Sequence, residues 1–244
     1  MTHITTPQTQ RVALITGSSQ GLGLEVARAY AKAGLALILT ARHSRLLEHA
    51  ARELAELTPT IAIPGDVADS EHVHRLVDTG LQRFGHIDVL INNASELGPS
   101  PMPELQQLQT PEFERILRVN LVAPLELIQL VLPGMREQHD GVIVNVTSDA
   151  GVQAYATWGG YGASKAGLEH LSHVLAAELE GSGVRVYVVD PGDMNTAMHR
   201  AAEPGVDLSH LPKPDAVAPA FVRLLDEREA FGRFEAKDLV GAPV

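Results

Sequence analysis

The sequence predicts an α/β domain: a parallel sheet with helices covering both faces. Three observations carry that expectation. Short apolar runs alternate along the chain with segments of helical periodicity. The runs are apolar at nearly every position rather than at every second one, the pattern of strands buried on both faces. No shift in composition divides the 244 residues, so one domain over 1–244 accounts for all of them.

The first strand, RVALIT at 11–16, runs into Gly17-Ser18-Ser19-Gln20-Gly21-Leu22-Gly23. Leu24, Val26, Ala27, Tyr30 and Ala31 then recur at helical spacing up to Gly34, a C-terminal cap. Strand, glycine turn and helix together set bare backbone N–H groups and a helix N-terminus against a phosphate. Gly17 permits the tight turn, Gly21 lets a pyrophosphate approach, and Gly23 allows close helix–strand packing. The expectation is a dinucleotide site.

A second strand, 35–40, is followed by Ala41-Arg42. A dinucleotide site usually keeps an acid here for the ribose 2′-hydroxyl. Residues 40–42 hold none, and the Arg42 guanidinium can fork onto a 2′-phosphate instead, selecting NADP over NAD. After a helix at 44–57 and a third strand at 60–65, Asp66-Val67 can clamp an adenine, Asp66 accepting from its amine. Asp69 caps a helix running to Phe84. The fourth strand, 87–91, ends in Asn92-Asn93-Ala94-Ser95. Amides there tie neighbouring strands or contact a cofactor, and for Asn92 the structural role is expected.

Prolines at 99, 101, 103 and 111 make 96–111 a loop, and Thr110-Pro111 opens a long helix over 111–137. Asn120 interrupts its apolar stripe and so needs a specific partner. Pro124 is expected to kink the helix and free a carbonyl near Asn120. The fifth strand, 142–146, delivers Ser148. Tyr161 and Lys165 follow on a helix extending to Leu179, one turn apart on one face. A phenol beside an ammonium is a proton-transfer device, since a nearby positive charge favours the phenolate. Ser148 can donate to a substrate oxygen that the phenol also touches. That is acid/base chemistry at a carbonyl or alcohol carbon. A sixth strand, 183–190, ends at Pro191-Gly192. Residues 193–211 read as a mobile substrate lid, 214–229 as a helix and 232–239 as an edge strand.

Composition narrows the function further. Without cysteine the chain has neither disulfides nor thiolate chemistry, which fits a reducing, cytoplasmic setting. A net charge of −11 argues against a nucleic-acid partner. Residues 1–10 are polar and read as a flexible N-terminus rather than a signal peptide. No unbroken run of about 18 apolar residues marks a membrane span. The eleven histidines, His72 and His74 included, read as solvated surface groups and not as a metal site.

From Arg11 to about Thr196 the chain resembles the short-chain dehydrogenase/reductase family, in its compact single-domain branch. Thr16 to Gly23 resembles the family's cofactor turn, with Ser19, Gln20 and Leu22 inside it. Asn92-Asn93-Ala94 resembles its fourth-strand motif. Asn120, Ser148, Tyr161 and Lys165 fall on its catalytic tetrad, and Pro191-Gly192 followed by Thr196 on the segment that touches the nicotinamide carboxamide. The resemblance implies a seven-stranded, doubly wound Rossmann-type sheet, a nicotinamide cofactor that Tyr161 and Lys165 also touch, and a dimer or tetramer built on two long helices. By analogy Asn120 holds a water behind Lys165. Ser95 stands where the family usually has Gly, Gln20 where many NADP-using members carry Lys or Arg, and the C-terminus lacks the usual glycine-rich ending. The reading is an NADP(H)-dependent oxidoreductase acting on a small carbonyl or alcohol. Its rival is a redox-sensing module that binds the nucleotide without turnover. The helices at 111–137 and 161–180 carry more apolar positions than one sheet face uses, which predicts a homodimer at least.

Overall fold

A computed structural model describes residues 10–227 and 229–240. In chain order its elements are β1 (Val12–Thr16), α1 (Gly21–Lys32), β2 (Ala36–Thr40), α2 (Ser44–Ala55), β3 (Thr60–Ala62), α3 (Ser70–Phe84) and β4 (Val89–Asn92). Then come α4 (Thr110–Leu117), α5 (Ala123–Gln138), β5 (Gly141–Val146), α6 (Gly159–Glu178) and β6 (Val184–Asp190). The short helices α7 (Ala197–Ala202), α8 (Pro214–Val217) and α9 (Pro219–Arg223) lead to β7 (Phe231–Glu235) and α10 (Ala236–Val240).

The seven strands form one sheet in the order β3-β2-β1-β4-β5-β6-β7, and every neighbouring pair is parallel. This is the doubly wound, Rossmann-type arrangement, and its order reverses between β1 and β4. Ligands of such sheets bind beyond the carboxyl ends of the strands at that reversal. Alternate residues of one strand feed opposite faces. Ala13, Ile15, Leu37 and Leu39 pack with α1, α2 and Phe221 of α9. Val12, Leu14, Ala36 and Ile38 pack with α3, α5 and Leu175 of α6.

Several elements differ from the sequence expectation, each for a local reason. The third strand proper ends at Ala62, although Ile63 and Gly65 N–H still donate to Leu39 O and Ala41 O; Pro64 lies between them on the open edge of the sheet, where its missing N–H breaks no bond to β2. The helix expected at 214–229 is broken into α8 and α9, since Pro219 lacks the N–H that a continuous helix needs. The expected edge strand at 232–239 is β7 followed by α10. In place of a kink at Pro124, α4 and α5 are joined by a π turn, Arg118–Val122, that contains Asn120. Pro124 withholds the N–H that an α-helical Asn120 carbonyl would accept, and the turn widens there. His72 is not a solvated histidine. It is fully buried, its Nε2 lies 2.8 Å from Thr40 Oγ1, and burial above all holds its pKa low.

The continuous stretch Thr110–Gln138 is long and apolar enough to cross a membrane by length and composition, although it contains no unbroken apolar run. In this fold it packs on α3 and the sheet. Of the segment expected to be flexible, residues 1–9 lie outside the described residues, as do 241–244 of the unusual C-terminus. Gln10 is held, its amide donating to Gly34 O at 2.7 Å.

Candidate active site

The glycine turn at the end of β1 is built for close backbone approach. Gly17 has φ +67°, and a Cβ there would stand 2.9 Å from Asn93 Nδ2. A Cβ on Gly23 would meet Gly17 O at 2.4 Å, so α1 can lie against the turn only because position 23 is glycine. Gly21 has φ +59° and faces open space. Gln20 precedes α1 without capping it through its side chain, so the first N–H groups of the helix point outward uncapped. Ser19 and Leu22 are buried beneath the turn, and Gln20 is exposed. An uncapped helix N-terminus facing an open glycine fits a pyrophosphate.

Asn93 lies under this turn and not over it. Its amide donates to Thr16 O at 2.9 Å and to Gly17 O at 3.3 Å. The N–H groups of Asn93 and Ala94 both donate to Thr16 Oγ1. The side chain expected to touch cofactor therefore fixes the cradle. Asn92 has the expected tie, donating to Asn145 Oδ1 at 2.8 Å, and Asn145 donates on to Ser172.

Arg42 stands at the end of β2 and forms an ion pair with Glu96 at 3.1 Å. Asp66 binds Arg115 at 2.6 Å and also accepts the Ala68 N–H. Burial works against its charge, but that N–H, Arg115 and Arg42 together hold its carboxyl below the usual range. Val67 beside it is buried.

Ser148 leaves β5 as the cap of a 3₁₀ turn, accepting from Ala150 N–H and donating to Asp149 Oδ1. Tyr161 sits in the first turn of α6, buried, with Trp158 edge-on at 5.8 Å. The hydroxyls of Ser148 and Ser95 both bear on its phenol. Lys165 Nζ lies 5.4 Å from the centre of the Tyr161 ring and donates to Val146 O at 2.8 Å. Tyr155 is exposed and bonded to Asp149.

The electrostatics differ from the sequence expectation. Burial pushes the Tyr161 phenol well above its ordinary value, the charges of Asp190 and Asp149 push the same way, and the serine hydroxyls only partly oppose them. Burial also drives Lys165 down to about 8, against the pull of Asp190 and Glu169. Desolvation is the largest cause of both shifts.

Asn120 is buried, and all four hydrogen bonds of its amide are made within the site. It accepts from Glu96 N–H (2.7 Å) and Ser95 Oγ (3.2 Å), and donates to Glu96 O and Ser164 Oγ (each 2.9 Å). Its side chain is thus turned to the loop after β4 and not to Lys165. On the far side, Gly192 has φ +71° next to half-buried Pro191, and its N–H binds Asp190 Oδ1. Thr196 Oγ1 caps α7, accepting from His199 N–H at 3.1 Å. The segment 193–211 is anchored by buried Met194 and Leu208, and Ser100 Oγ donates to Ala201 O.

From the sequence Ser95 stands out only as a family departure, and Glu96 not at all. One acid in a proline-rich loop gives no signal, and its partner lies 54 positions away.

The family model for short chain dehydrogenases matches residues 11–207. A ketoacyl reductase, HetN, of a Nostoc species is 36% identical over 228 residues, covering 91% of this chain and 78% of that one. An alcohol dehydrogenase structure from the archaeon Thermococcus sibiricus, complexed with 5-hydroxy-NADP, is similar with a TM-score of 0.82. It is 29% identical and covers 93% of this chain and 95% of its own. An NAD+-bound xylitol dehydrogenase shares the fold at 24% identity, with a TM-score of 0.82 and coverage of 93% and 98%. The strand order, the glycine cradle and the match over 11–207 lead to one conclusion: the chain belongs to the short-chain dehydrogenase family.

Proposed function

We propose that this chain interconverts a secondary alcohol and a ketone, or a primary alcohol and an aldehyde, with NADP(H) as the preferred cofactor. One observation supports the reading: Tyr161 and Lys165 are both buried one turn apart on α6, with Nζ 5.4 Å from the centre of the phenol ring, and the Ser148 hydroxyl at the end of β5 favours the same phenolate. The nicotinamide supplies the hydride when it is bound. In the reductive direction Ser148 donates to the carbonyl oxygen and orients it. The Tyr161 O–H bond breaks and its proton goes to that oxygen. The phenolate left behind is stabilised by the Lys165 ammonium, which would also hold the ribose hydroxyls of a bound cofactor. A phenol kept protonated by burial is ready to act as the acid. Asn120 acts as a positioning residue, through the loop at 95–96 and through Ser164.

Gly17, Gly21 and Gly23 with Ser19, Gln20 and Leu22 would hold the pyrophosphate. Val67 and Asp66 would meet the adenine, and Ala94, Pro191, Gly192 and Thr196 the nicotinamide half. The segment 193–211 serves as the substrate lid of a single-domain enzyme. Arg42, with no acid at 40–42, supports the 2′-phosphate preference. The name of the ketoacyl reductase relative fits the same reaction class.

Turnover of NADPH with a panel of ketones and aldehydes tests the reading. Binding of NADPH with no turnover on any of them would favour the sensor instead, which has no use for a buried phenol–ammonium pair. Arg42→Ala should weaken NADPH about tenfold and NADH far less, since a charge-assisted contact is worth roughly 1.5–3 kcal/mol.

A further inference from the structure

At the adenosine end of the crevice, two arginines and two carboxylates stand as two ion pairs. Arg115 holds Asp66 at 2.6 Å, and Arg42 holds Glu96 at 3.1 Å. The pairs differ in what they cross. Asp66 is also fixed to its own turn through Ala68 N–H. Glu96 comes from the loop after β4 and Arg42 from the end of β2, with β1 between those strands. Strands lie about 4.8 Å apart, so the second pair bridges roughly 10 Å across the carboxyl end of β1, where the glycine turn stands. The Glu96 backbone is held on both sides by Asn120, through its N–H at 2.7 Å and its carbonyl at 2.9 Å. Its side chain alone is left to move.

We infer that Glu96 is a specificity-determining residue: its carboxylate occupies the guanidinium that a 2′-phosphate needs, and so sets how far this chain prefers NADP(H) to NAD(H). The inference rests on the assignment of Arg42 to the 2′-phosphate. A 2′-phosphate competes with Glu96 for Arg42, whereas a 2′-hydroxyl makes no such demand. Asp66 lies near enough to act on Arg42 as well, but its own carboxylate is already shared between Arg115 and Ala68. Glu96 is therefore the acid that tempers the preference. Arg42 is 54% exposed, so solvent moderates the effect without removing it.

Fluorescence titration of the full chain with NADPH and with NADH tests this. In Glu96→Gln the Kd for NADPH should fall about two- to fivefold, the range of a partly exposed ion pair, with NADH nearly unchanged. Glu96→Ala should move the ratio in the same direction, and neither variant removes the main-chain bonds to Asn120. The gain should vanish when Arg42→Ala is combined with Glu96→Gln. An unchanged NADPH/NADH ratio would overturn the inference. So would weaker NADH with NADPH constant, which would make Glu96 a ribose acceptor. If Arg42→Ala alone weakens NADPH selectively while Glu96→Gln gains nothing, this inference fails and the cofactor assignment stands. If Arg42→Ala has no selective effect, both fall.

Discussion

The Asn120 amide grips the main chain of Glu96 from both sides, accepting its N–H at 2.7 Å and donating to its carbonyl at 2.9 Å. The amide comes from the π turn between α4 and α5, and the main chain it holds belongs to the loop after β4. That loop also carries Ser95, whose hydroxyl bonds Asn120 and bears on the Tyr161 phenol. One buried side chain thus fixes the position of the loop that passes from the cofactor cradle to the phenol.

Asn120→Leu keeps the branched outline of the side chain and removes four hydrogen bonds, leaving Glu96 N–H and C=O without their partner. The expected loss is about 2–4 kcal/mol, with a fall in Tm of roughly 5–12 °C, measured by calorimetry. A loss below about 1 kcal/mol would show that the clamp contributes little.

The phenol–ammonium spacing and the glycine turn were legible in the sequence because each is local: Tyr161 and Lys165 share a helix face, and Gly17 to Gly23 lie between a strand and a helix. The burial of β1, β2, β4, β5 and β6 was legible for the same reason. The Glu96–Arg42 pair was not, because it joins residues that only the sheet order brings together. The pKa direction of Tyr161 was not legible either. Sequence supplies the helical spacing but not the depth of burial, and burial is the largest cause of the shift. The break between α8 and α9 falls at Pro219, a local feature, yet 214–229 was expected as one helix. His72 shares the buried face of α3 with Val73, Leu76 and Val77, but a histidine gives no apolar signal, and its burial shows only in the packed fold and its contact with Thr40.

Lys165 gives a stability test whose sign is fixed by its environment. Burial lowers its pKa to about 8, below the 10.5 of an unfolded lysine. Between those values the unfolded chain binds more protons, so this group adds stability as pH rises from about 8 to about 10.5. Lys165→Met should therefore be more stable than the parent at pH 7, by up to about 3 kcal/mol, with the advantage fading by pH 10.5. Urea titrations at several pH values measure it. An advantage that does not shrink with rising pH would show that the ammonium is not penalised by burial.

Assembly is expected through α5 and α6 with the π turn. Val122, Leu125 and Val174 are between 37% and 46% exposed, an apolar face that a second copy would cover. Light scattering at micromolar concentration should give at least twice the 26.1 kDa chain mass. Leu125→Lys should shift the population toward monomer. A mass near 26 kDa for the parent chain would contradict this expectation.

The proton-transfer role of Tyr161 is tested most directly by kcat in Tyr161→Phe on an accepted carbonyl substrate. The substitution removes one hydroxyl and keeps the ring packed against Trp158. A positioned general acid contributes about 10²–10⁴-fold, so kcat should fall at least 100-fold while NADPH binding changes by no more than about threefold. Full turnover by Tyr161→Phe would contradict the account, because no group but the phenol is assigned to deliver that proton.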